Sequence, residues 1–95
     1  MKNKLIKWDQ EKNQLLKLQR VVCFEQVLEK IENQEILERR VHPYRKKYPS
    51  QQIFIFQIDD YIYYVAFVES EKELFLKTIV PSRKLNKEYK KKDEK

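Results

Sequence analysis

The chain has 95 residues, a net charge of +6 and no glycine. That length suits one domain with one modest core, burying roughly 60–65% of the unfolded surface. The missing glycine excludes Gly-rich phosphate loops, dinucleotide fingerprints and nucleophile elbows, and with them most kinase, NTPase, dehydrogenase and esterase chemistry.

Lys4–Lys7 reads as a short strand. Asp9 follows as a helix N-cap, with Glu11 in the first turn where the helix dipole favours an acid. Leu15, Leu16 and Leu18 give this helix a partly apolar side. A second helix is set by Phe24, Val27, Leu28 and Ile31 at i, i+3, i+4 and i+7, with Glu25, Glu29 and Glu32 on a solvated face. Asn33-Gln34 ends it. Ile36–Val41 reads as a strand, followed by a polar, basic loop from His42 to Ser50.

Gln52–Ile58 and Tyr61–Val68 are β-branched and aromatic, joined by Asp59-Asp60 as a tight hairpin turn. Glu69–Glu73 is a charged turn and Leu74–Val80 the last strand. Pro81 stops it, and Ser82 caps a helix to about Tyr89, with a frayed basic tail beyond residue 90. The order (β)ααββββα predicts an α+β domain with a meandering antiparallel sheet, two N-terminal helices on one face and a basic C-terminal helix. Both alternate sets of Tyr61–Val68 are apolar or aromatic, so surplus sheet surface is expected to meet a protein partner or a second copy.

Charge is blocked. Arg39, Arg40, Arg45, Lys46 and Lys47 stand in a stretch with no acid, and Lys77–Lys92 holds seven cations against Glu88 alone. Phe24–Glu38 instead holds five Glu and one Lys. Basic blocks favour an anionic partner. At 100° per residue Arg83, Lys87 and Lys90 align with Asn86 beside them, while Leu85 and Tyr89 face the sheet. The plain reading is a solvated basic face. The functional one sets Arg83, at a helix N-terminus, and Lys77, on the adjacent strand, against a phosphate, which Arg grips with two parallel bonds.

In the loop, Tyr44 and Tyr48 are candidates to stack on unpaired bases while Arg45, Lys46 and Lys47 hold the backbone; a mobile solvated loop is the plain alternative. His42 is the only His. It is structural by default, yet its titration range suits proton transfer in RNA cleavage, alongside Glu38, Glu88 or Tyr89. No cluster of metal ligands stands out, and the lone Cys23 reads as a helix cap or core residue. No apolar run approaches membrane-spanning length, which predicts a cytoplasmic protein.

Three segments, Trp8-Asp9-x-Glu11-Lys12-Asn13, Val22-x-Phe24-Glu25-x-Val27 and Thr78-Ile79-x-x-Ser82-Arg83-Lys84, carry a further likeness. With His42-Pro43, Tyr48-Pro49-x-Gln51 and Phe75-Leu76-Lys77-Thr78, they span almost the whole chain. In their order and spacing the chain resembles the BrnT-like toxins of bacterial type II toxin–antitoxin modules, within the wider RelE/ParE-like toxins. Cys23 stands where that family often has Ser, and Asn33-Gln34 replaces a Gly-containing turn.

The resemblance implies a metal-free, cofactor-free endoribonuclease that cuts RNA by 2′-hydroxyl attack and inhibits translation. It also implies a cognate antitoxin of ribbon-helix-helix or similar DNA-binding type, in a toxin–antitoxin hetero-oligomer. The resemblance carries an RNA-holding role only to Lys77, Arg83, Lys84 and Arg39 or Arg40; joined with the readings of the loop, of His42 and of the last helix given above, it makes Arg83, Lys77, His42 and Tyr89 the expected catalytic set. Arg39, Arg40, Arg45, Lys46, Lys47, Tyr48, Lys84 and Lys87 are the expected RNA-binding set. The alternatives are a non-catalytic RNA- or protein-binding module and a ParE-like action on a topoisomerase.

Overall fold

The structure, a computed structural model, describes residues 4–93. Its elements run β1 (Leu5–Trp8), α1 (Gln10–Arg20), α2 (Phe24–Glu32), β2 (Glu38–Val41), β3 (Gln52–Ile58), β4 (Tyr61–Glu69), β5 (Glu73–Pro81) and α3 (Arg83–Asp93). The α+β class and the element order are as the sequence predicts. One five-stranded sheet has the order β1-β5-β4-β3-β2. It is mixed, which corrects the all-antiparallel expectation: β1 lies parallel to β5, Leu5 opposite Glu73 and Trp8 opposite Leu76. Lys7 bridges Glu73 at 2.8 Å across this pairing. Nothing local in Lys4–Lys7 encodes a neighbour almost seventy residues away.

Helix α1 starts as its sequence dictates. The Asp9 carboxylate accepts from the N–H groups of Glu11 (2.8 Å) and Lys12 (3.3 Å). Asn13 is fully buried; its Oδ1 accepts from Phe24 N–H at 2.7 Å and its amide donates to Glu25 at 2.8 Å. It thereby caps α2 from within α1, and that hydrogen bond holds the Glu25 carboxyl below its usual pKa. Trp8 stacks on Phe24 at 5.7 Å. Cys23 occupies the N-cap of α2, where its N–H donates to the Gln26 side chain at 3.0 Å.

The core has two layers. Toward α1 and α2 lie Phe54, Phe56, Val65, Phe67, Leu74, Leu76 and Ile79, packed on Leu16, Phe24 and Val27. Phe54 and Phe67 stack at 4.1 Å. Toward α3 lie Ile53, Ile55, Ile62, Tyr64 and Ala66, covered by Leu85 and Tyr89. Full burial of each large side chain contributes about 1.5–3 kcal/mol. The two-sided apolar pattern of β3 and β4 is thus largely consumed within the chain. The expected surplus on the sheet moves elsewhere: Leu15 and Leu18 of α1, Val21, Leu37 and Val41 are exposed. Of the three leucines given to the apolar side of α1, Leu16 alone is buried.

Boundaries shift slightly. β2 begins at Glu38, although Leu37 N–H still donates to Ile55 C=O at 2.8 Å. The charged turn shrinks to residues 70–72 as β4 and β5 extend. α3 runs on to Asp93, beyond the expected end near Tyr89, and residues 94–95 of the predicted tail lie outside the described residues. Asp59 and Asp60 both take positive φ, 49° and 68°, as a two-residue hairpin turn requires.

Candidate functional site

Ser82 caps α3. Its Oγ accepts from Leu85 N–H at 3.2 Å and its carbonyl from Asn86 N–H at 2.9 Å, while its own N–H donates to Ile62 C=O. Leu85 is buried and Tyr89 half-buried against the sheet, as the helical phasing requires. Asn86 departs from its expected place beside the basic line: it is buried, and its side chain accepts from Ile62 N–H at 3.2 Å. Arg83, Lys84, Lys87, Lys90 and Lys91 are left on the solvent side. Among the described residues, Arg83, Lys84 and Lys87 have no ion-pair partner.

The loop after β2 is organised rather than loose. His42 is buried at 5% exposure, with its ring 4.7 Å from Tyr48 and 6.0 Å from both Tyr44 and Tyr64. Its Nδ1 accepts from Tyr44 N–H at 3.0 Å, and burial pushes the imidazole below its usual pKa. Lys47 and Tyr48 both donate backbone N–H groups to Tyr44 C=O at 3.0 Å. Arg45, Lys46 and Lys47 are exposed, with the Lys47 ammonium 5.4 Å from the Tyr48 ring centroid.

Tyr64 belongs to the layer beneath α3, so its contact with His42 seats the loop on the same face of the sheet as α3. Lys77 falls there too. It is the extra residue of a bulge, since Ala66 pairs with Thr78 and Phe67 with Leu76. Its ammonium stands 5.0 Å from the ring of Phe75, which points away from Leu74 and Leu76 of the other layer. Lys77 and Arg83 do not touch. Lys77 reaches back along β5 toward Phe75, and Pro81 lies roughly 13 Å further on at about 3.3 Å per residue.

The two Arg of β2 are placed differently from expectation. Arg39 faces the opposite layer, over the rings of Phe67 (5.2 Å) and Phe54 (5.8 Å), and pairs with Glu69 at 2.5 Å. Lys4 and Arg39 together hold the Glu69 carboxyl down at about 2. Arg40 is on the α3 face but bonds Glu38 (2.7 and 2.9 Å) and Glu88 (2.6 Å). Tyr89 donates its hydroxyl to Glu38, and burial together with that bond pushes the phenol up to about 12. Glu38, Glu88 and Tyr89 are therefore engaged with Arg40 and tie α3 to β2.

Charge is sorted by the sheet. Glu38 and Glu88 are engaged by Arg40, and the loop that carries Arg45, Lys46 and Lys47 lies on the same face of the sheet as α3, while Arg39 lies on the other. On the other side α1 and α2 carry four acids and four bases. The assembled face can hold phosphates. Proton transfer near neutral pH is less well served, because His42 is bonded at Nδ1 and Tyr89 is a weak acid. Among the described residues no three His, Cys, Asp or Glu side chains are grouped to hold a metal ion. No helix among them is long and apolar enough to cross a membrane.

Tyr64 carries no sequence signal for a place in the site. Its alternation marks it only as core, and its partner His42 is brought by register, not by spacing. Fold and surface together define a small α+β domain with one cationic face over a mixed sheet. Compared with protein-family models, curated proteins and solved structures, the chain matches none.

Proposed function

We propose that the chain is the toxin of a type II toxin–antitoxin module, a metal-independent endoribonuclease that holds single-stranded RNA on its α3 face. The observation behind this reading is that the Arg45–Lys47 loop shares a face of the sheet with the basic helix α3, with Glu38 and Glu88 engaged by Arg40. The ribose 2′-hydroxyl gives up its proton as its oxygen attacks the adjacent phosphorus, and the bond to the 5′-oxygen breaks as that oxygen takes up a proton, giving a cyclic phosphate that water can open to a 3′-phosphate. Arg83 supports the charge that builds on the phosphorus oxygens, aided by first-turn N–H groups of α3. Lys77 joins it by swinging off Phe75. His42 moves a proton only if its ring exchanges the Tyr44 N–H for substrate. A cognate antitoxin with DNA-binding capacity neutralises the protein, which acts in the cytoplasm.

A second reading, an RNA-binding module that does not cut, is favoured by the state of His42 and Tyr89. Purified protein incubated with end-labelled RNA in EDTA separates the two. Cleavage with cyclic or 3′-phosphate ends, lowered about a hundredfold by Arg83→Ala, is the expected result. Retention without cleavage selects the binding module. Neither retention nor cleavage overturns both.

A further inference from the structure

Tyr44 combines two properties that rarely coincide. Its backbone is fully engaged: the N–H donates to buried His42 at 3.0 Å, and the carbonyl accepts from Lys47 and Tyr48, each at 3.0 Å. Yet the residue as a whole is 67% exposed. Pro43 further fixes the backbone on the N-terminal side. The neighbouring Tyr48 is half-buried on His42 with Lys47 against its ring, so it has little face left to offer. A large ring, touched by His42 at 6.0 Å between centroids, is thus left mostly in solvent by a loop whose backbone has little freedom left to lose. Beside it a shallow concavity is lined by Pro43, Tyr44, Arg45, Lys46 and Lys47, and no acid stands between Arg39 and Pro49.

The geometry points to Tyr44 as a stacking platform for one unpaired RNA base, with Arg45, Lys46 and Lys47 on the flanking phosphates. This rests on the reading of the α3 face as an RNA surface and names a subsite of it. Cations alone would serve any polyanion. The presented ring selects a ligand with exposed flat faces, which single-stranded RNA has and an acidic peptide or a paired duplex lacks. Three phosphate contacts on a single strand would add about −2 to the slope of log K against log salt.

The test measures binding of fluorescein-labelled octauridylate by anisotropy, against a duplex of equal length, inorganic polyphosphate and a poly-glutamate peptide. Folding of each variant is checked by circular dichroism. Tyr44→Ala should weaken octauridylate binding roughly tenfold, leave the salt slope unchanged and barely affect polyphosphate. Tyr44→Phe should bind like the parent. Replacing Arg45, Lys46 and Lys47 together by Ala should flatten the slope by about 2. If Tyr44→Ala stays within twofold of the parent while Arg83→Ala loses affinity, the platform is wrong and the RNA reading stands. Equal sensitivity of the peptide or the duplex to Tyr44→Ala also overturns it. If octauridylate does not bind the parent at all, both readings fail.

Discussion

At single positions, a chain without glycine must place other residues where the backbone turns left-handed. Asp59 and Asp60 tolerate this, and Gln34 takes it at the end of α2. Val21 does not suit it: a β-branched residue with φ 55° closes α1 while 83% exposed. Left-handed backbone costs a non-glycine residue roughly 1–2 kcal/mol, and little packing is lost on truncation here. Val21→Gly should therefore stabilise the fold by about 1 kcal/mol, raising the thermal midpoint by several degrees. A lower midpoint would show that the exposed Val side chain matters more than the turn. Asn13→Ala should act in the opposite sense. It removes the acceptor of a buried N–H and the partner of Glu25, an expected loss of about 2 kcal/mol by urea unfolding. The motif around Asn13 was legible in the sequence as a pattern; that it joins two helices was not, because the bond crosses an intervening turn.

Among the elements, α3 adds polar contacts to the apolar seat of Leu85 and Tyr89. Asn86 fastens it to β4, and Arg40 with Glu38, Glu88 and Tyr89 fastens it to β2. The charged groups are each about one-third exposed, so the ionic part is worth on the order of 1 kcal/mol. Arg40→Ala should lower hydrogen-exchange protection in α3 while leaving β3 and β4 nearly unchanged. Equal loss in all three would mean that α3 and the sheet open together. The phenol of Tyr89 adds an alkaline limit. Its folded pKa is raised to about 12 from 10, so the unfolded chain releases that proton first. The stability it contributes is complete below pH 10 and is lost as pH rises toward 12. Tyr89→Phe should flatten the decline of the thermal midpoint across that window. Helical phasing made the buried side of α3 readable. The ion cluster was not, since Arg40 and Glu88 are adjacent only once β2 and α3 lie on the same face.

For the molecule as a whole, acid sensitivity and salt sensitivity have separate origins. The folded His42 resists protonation, whereas the unfolded chain takes up a proton near pH 6.5. Stability is therefore full above about 6.5 and falls as pH drops through that value toward the lowered folded pKa. The thermal midpoint should be lower at pH 5 than at pH 7.5, and His42→Gln should reduce the difference. The Glu69 contribution is held until much lower pH, below its ordinary value of 4.5, which keeps the two windows apart. Salt acts on the cationic face instead. If about five phosphates are held, log K should fall against log salt with a slope near −3.5, roughly a hundredfold between 50 and 200 mM. A flat dependence would rule out the face as the principal RNA contact.

By itself the sequence determined the elements, the hairpin turn at Asp59-Asp60, the caps at Asp9 and Ser82, and the two basic blocks. These depend on near neighbours: period-2 and period-3.6 patterning, a short acceptor side chain before a helix, and runs of like charge. Only the tertiary structure decided that β1 runs parallel beside β5 and that Arg39 turns away from Arg40 to the opposite layer. It also decided that the Arg45–Lys47 loop comes over Tyr64 onto the α3 face. Each is a matter of which distant strands pair and in what register, and local chemistry leaves that choice open until the core closes.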